Sequence, residues 1–91
     1  QRFEQRGFAA AVFPDEKRGM VWIADAYNHK IRSLNMASNM LSTVPMTQAF
    51  GNPCALALDD ESLWIADSAS SQIHRYFIET EYLSRISIQM P

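Results

Sequence analysis

One cysteine, three glycines and four prolines among 91 residues leave this chain with little covalent or turn-marking chemistry. Cys54 has no second cysteine to pair with, so an intrachain disulfide and a thiolate cluster for zinc are both excluded. It reads as a small apolar side chain in a strand rather than a reactive thiol. Eight Lys and Arg stand against ten Asp and Glu, a formal net charge of −2. The clustered basic face that phosphate backbones require is missing, which disfavours nucleic acid. No apolar run approaches the roughly 18 residues of a membrane-spanning helix, so no membrane partner is expected. The first residues lack the apolar core of a signal peptide. Glycine-rich phosphate loops, a nucleophile elbow and a cysteine–histidine cluster are also missing, so the motifs point to no catalytic residue, no cofactor and no metal.

What the chain does have is a repeat. Met20-Val21-Trp22-Ile23-Ala24-Asp25 returns as Ser62-Leu63-Trp64-Ile65-Ala66-Asp67, and Trp22 to Trp64 is an offset of 64 − 22 = 42 positions. The same offset carries Ile31 onto Ile73, Leu41-Ser42 onto Leu83-Ser84 and Val44 onto Ile86. Several landmarks in one register define an architecture of repeated units, and a period of about 40–50 residues is that of propeller blades and some helical arrays. The composition, 47% hydrophobic and 20% charged, is that of a packed globular chain.

Each unit reads as four strands. In the first unit a small-residue strand over 8–13 ends at the charged turn 14–19, with a second strand over 20–25, a third over 30–36 and a fourth over 41–46. In the second unit the corresponding segments are 55–58, 62–67, 72–78 and 82–88, and spacing from first strand to tryptophan gives the first unit about three extra hairpin residues. The second strands are apolar on both faces, which describes a strand covered on both sides. The fourth strands are the most polar. Small inner strands, sandwiched middle strands and solvated outer strands form the gradient of a propeller blade. Turn-rich segments about every ten residues fit hairpins better than helices. The expected fold class is therefore all-β: two four-stranded antiparallel blades, the first in residues 1–46 behind an entering loop over 1–7, the second in 47–91.

The run Trp22-Ile23-Ala24-Asp25-Ala26-Tyr27-Asn28-His29-Lys30-Ile31-Arg32 resembles the NHL repeat: a hydrophobic pair, Ala-Asp, a short turn with Asn-His, a basic residue and Ile. The second unit keeps Trp64-Ile65-Ala66-Asp67 and Ile73 but has Ser70-Ser71-Gln72 in place of the Asn-His-Lys triplet. Its lead-in, from Phe50-Gly51-Asn52-Pro53 into Ala55, is similar to the family's approach to the first strand. The resemblance covers about residues 8–88. It implies blades of a β-propeller, commonly a six-bladed ring, and a role as a platform for a protein or peptide partner. Alternatives within related propellers are RNA binding and a metal-dependent lyase or lactonase whose catalytic residues lie in other blades.

Trp22, Asp25, Ile31, Trp64, Asp67 and Ile73 recur in both units, and a residue needed once for chemistry has no reason to recur in every blade. Asp25 and Asp67 are therefore expected to accept backbone N–H groups of a strand-end turn. The two tryptophans are expected between blades. His29 and His74 fall at non-equivalent positions without metal-ligand spacing; His29 is placed in the turn and His74 on a half-exposed third strand. Asp15 and Asp59 are placed in solvated hairpin turns. The partner-binding candidates are Tyr27, Asn28, His29 and Lys30, an exposed turn carrying aromatic and basic groups. Two blades leave apolar faces open, so the expected partners also include further blades of the same protein or copies of the chain, a homotrimer completing six blades.

Overall fold

The computed structural model describes residues 9–46 and 50–87. Among these, all regular structure is strand. β1 (Ala9–Asp15), β2 (Met20–Asp25), β3 (Lys30–Asn35) and β4 (Leu41–Thr43) form one antiparallel meander. β5 (Pro53–Leu58), β6 (Ser62–Asp67), β7 (Gln72–Phe77) and β8 (Tyr82–Ser87) form a second. The entering loop expected over 1–7 lies outside the described residues, as do the ends of both lead-in and exit segments.

The two sheets are built to one plan. Val12 pairs with Ile23 and Leu56 with Ile65, and each first strand carries a bulge at the same place, between Ala9 and Ala11 and between Pro53 and Ala55. Among the described residues four non-glycine residues have positive φ, in two equivalent pairs: His29 (61°) with Ser71 (55°), and Asn39 (59°) with Glu81 (57°). The left-handed conformation costs a Cβ-bearing residue energy, so its recurrence marks turns whose geometry both blades require.

Several boundaries differ from those read in the sequence. β1 runs on through Pro14 and Asp15, which pair with Val21 and Met20. Proline is compatible here because β1 is an edge strand and needs no N–H on its outer side. Phe13 pairs with Trp22 and Ala57 with Trp64, so the first hairpin has two extra residues, not three. β4 stops at Thr43 rather than at residue 46. The Val44 N–H still donates to the Ile31 carbonyl (2.9 Å), but Pro45 has no N–H to continue the ladder.

The core lies between the sheets, and different faces meet there. The first blade contributes Trp22, Ala24, Ile31 and Val44; the second contributes Leu63, Ile65 and Tyr76, with Phe50 from its lead-in. Alternation along β2 and β6 puts Trp22 and Trp64 on equivalent faces, here called trailing, and Ile23 and Ile65 on the opposite, leading faces. The trailing face of blade one therefore packs on the leading face of blade two. Such head-to-tail stacking leaves one face of each type at the ends, unlike a two-sheet sandwich closed by like faces.

Candidate functional site

Each blade is locked by an aspartate that the sequence reading placed in a solvated turn. The Trp22 indole N–H donates to Asp15 Oδ2 (3.0 Å), and the Trp64 indole N–H donates to Asp59 Oδ2 (2.9 Å). Asp15 is only 2% exposed. Burial would push its carboxyl up, but the Trp22 and Arg18 hydrogen bonds outweigh this and leave it below the ordinary value. Asp59 is held far below the carboxylate range by the Trp64 N–H first and the Ser62 hydroxyl second. The signal available in the sequence was an acid at each first-strand end, followed by a tryptophan one hairpin later. The two-residue difference in hairpin length hid it.

The repeated Asp25 and Asp67 sit at the other end of the second strands, both buried. Asp67 accepts from the backbone N–H groups of Gly51 (2.8 Å), Asn52 (2.8 Å) and Ala69 (3.1 Å), tying the lead-in to the turn after β6. Desolvation raises its pKa, and these backbone donors win and lower it. Gly51 is required by close approach: a Cβ there would come within 2.7 Å of Ala69 Cβ. Asp25 bonds side chains instead, accepting Arg32 Nε (2.7 Å) and Asn28 Nδ2 (3.1 Å) at Oδ2. Its Oδ1 is buried with no partner among the described residues. The lead-in matching Gly51-Asn52 lies outside them.

The turn proposed for partner contact is divided by these bonds. Asn28 is committed to Asp25. His29 Nδ1 lies 2.8 Å from the Gly51 carbonyl, and its own carbonyl accepts the Phe50 N–H (3.4 Å), so this residue clasps blade one to the lead-in of blade two. Tyr27 is 48% exposed and Lys30 is also exposed. His74 departs from its expected half-exposed place. It is fully buried on the leading face of blade two, its ring edge-on to Phe50 at 4.9 Å, and neither ring nitrogen has a hydrogen-bond partner among the described residues. Desolvation dominates over the favourable field of Asp67 and depresses its pKa.

The largest asymmetry between the units is on their trailing faces. Trp22, Ala24 and Ile31 are 3%, 0% and 2% exposed, while Trp64, Ala66 and Ile73 are only half-buried. Val44 is 7% exposed and its counterpart Ile86 is 55% exposed. Ala55, Ala57, Trp64, Ala66 and Ile73 line an apolar hollow of about 230 Å³ on this open face. At its edge the Arg75 guanidinium stacks over Trp64 (4.7 Å) and Phe77 (4.5 Å). Elsewhere, a charged recess of about 400 Å³ lies at the hairpin end, among Lys17, Arg18, Glu61, Phe77 and Glu79. Among the described residues no three His, Cys, Asp or Glu side chains converge as a metal site would require.

No family model matches the chain. It is similar to "NHL repeat-containing protein 2" of Gallus gallus, at 28% identity over 85% of the chain, and of Bos taurus, at 29% over 77%. The human protein of the same name is 28% identical over 81% of the chain. These likenesses cover the same Trp-Ile-Ala-Asp units whose blades are described above. The chain's two units are similar to the NHL repeats of those proteins. It spans only 12–13% of the length of those relatives. Within each unit, then, Asp25 or Asp67 is the strand-end acid and Asp15 or Asp59 the acid that holds the indole.

Proposed function

We propose that this chain is a two-blade section of an NHL-type propeller that acts, without chemistry of its own, as a platform for a protein or peptide partner. The observation that carries the reading is the trailing face, closed in blade one by a neighbouring blade and open at the equivalent residues of blade two. A stack that ends on an apolar face is one that further blades extend, whether from the same protein or from copies of the chain, up to a ring of about six. Rigid blades then hold the loops between strands, and Tyr27 and Lys30 are exposed side chains of the predicted turn. Asn28 braces the turn through Asp25, and His29 ties it to the lead-in of blade two.

Selection of a peptide display library on the immobilised chain tests the platform role. Enriched peptides should bind about ten-fold more weakly to Tyr27→Ala and to Lys30→Ala, the loss of a modest interface contact. Enrichment that survives both substitutions would remove this turn from the reading, and failure to enrich any peptide would count against the platform itself.

A further inference from the structure

The interface between the two blades contains a polar latch. Arg18, in the turn after β1, donates Nη1 to Asp15 Oδ2 (3.0 Å) and Nη2 across to the main-chain carbonyl of Asp60 in the hairpin of blade two (2.7 Å). The acid that holds the indole of Trp22 thus also aims a guanidinium at the next blade. Blade two has no arginine in its shorter hairpin, where Asp59-Asp60-Glu61 stand. Its guanidinium arrives from another strand. Arg75 of β7 donates Nη2 to Asp59 Oδ2 (3.2 Å) and Nε to Ser62 Oγ (2.8 Å) while lying flat on Trp64 and Phe77. The equivalents of Arg75 and Phe77 in blade one are Ser33 and Asn35, so the arrangement is an exchange of position rather than a duplication. In both blades one aspartate receives one indole N–H and one guanidinium at the same end of the trailing face.

Resting on the propeller reading above, we propose that Arg75 is the latch to the next blade: its Nη1 donates to a main-chain carbonyl in the first hairpin of an NHL-type blade seated on the Trp64 face. Nη1 has no hydrogen-bond partner among the described residues, whereas both terminal nitrogens of Arg18 are used. The rest of the occupant is specified by the closed interface. It presents an aliphatic pair and an aromatic side chain as Leu63, Ile65 and Tyr76 do, because these residues cover Trp22, Ala24 and Ile31 in blade one. A carbonyl suits the site better than a carboxylate, since Asp59 and Glu61, at 3.2 and 3.6 Å, already neutralise the guanidinium. Only the planar fork of arginine can keep Asp59, Ser62 and a third acceptor together; the point charge of lysine cannot.

The test extends the full chain by a second copy of residues 50–91, which keeps the 42-residue period, with Trp64→Phe in the added copy alone. Exchange of the Trp64 indole proton is followed by nuclear magnetic resonance in the extended and unextended chains, at several concentrations and extrapolated to infinite dilution. The ratio of the two rates reports docking on the Trp64 face. The added blade should slow exchange, and Arg75→Lys and Arg75→Gln should each reduce that slowing about ten-fold, the loss expected for a charged donor and a buried carbonyl. Undiminished slowing in both variants overturns the latch and leaves the propeller reading in place. No slowing with Arg75 intact overturns both.

Discussion

Asp67 and His74 show how differently two buried polar groups on one blade behave. Asp67 gathers three backbone N–H groups, so Asp67→Ala leaves them unpaired and should cost roughly 1–3 kcal/mol. Asp25→Ala should cost a similar amount for another reason: it removes the carboxylate that the buried Arg32 Nε donates to, while Nη1 keeps its bond to Thr43. Urea titration of each variant measures this, and melting like the parent would place these acids outside the stabilising framework. His74 accepts no compensation. Its folded pKa lies below the ordinary 6.5, so the folded chain refuses a proton that the unfolded chain binds. Stability is therefore complete above pH 6.5 and falls as the pH drops through that value toward the lower folded pKa. His74→Phe should flatten this slope below about pH 6.5, leaving the acid loss due to Asp67 and Asp15, which begins below about 4. Arg85, opposite His74 on β8, lowers the folded pKa further, so Arg85→Gln should shift the midpoint up.

At the scale of elements, the blade depends on hairpins that demand left-handed residues and on one tryptophan per second strand. Glu81 at φ 57° has no local reason for its strain, so Glu81→Gly should stabilise the β7–β8 hairpin by about 0.5–1 kcal/mol. A higher thermal midpoint is the expected result. Asn39, at the equivalent place, tolerates the conformation better and Asn39→Gly should gain less. The two tryptophans are equivalent in sequence but not in surroundings. Trp22→Ala empties a closed interblade core and should cost about 3–5 kcal/mol. Trp64→Ala, on the open face, should cost less than half as much in the same chain. Equal losses would mean that the Trp64 face is covered in solution.

For the whole molecule, the decisive feature is that head-to-tail packing does not terminate itself. Blade two ends on Trp64, Ile73 and the 55%-exposed Ile86, and blade one ends on half-buried Val21 and Leu34. An apolar end face favours association unless other blades cover it. Light scattering on the isolated chain should therefore report a trimer or a mixture of oligomers, and a cooperatively folding monomer at micromolar concentration would show that two blades suffice. A closed trimer forms only if each chain turns the stack by a third of a circle; otherwise the contacts run on into open assemblies.

Much of this was legible from one dimension. The 42-residue register, the strand order and the burial of Trp22 follow from local pattern, because alternation and turn chemistry act over a few residues and the repeat states them twice. The resemblance to NHL repeats rested on eleven contiguous residues for the same reason. Three things were decided only by the tertiary structure. Asp15 and Asp59 became indole acceptors because a hairpin brought together residues whose spacing differs between the units. His74 became buried because Phe50, 24 positions away, closes over it, and no local pattern announces a neighbour supplied by a lead-in loop. The open face of blade two is the third. Repeats make Trp22 and Trp64 the same in sequence, and only the stacking of one sheet on the other, with its direction, makes one of them core and the other surface.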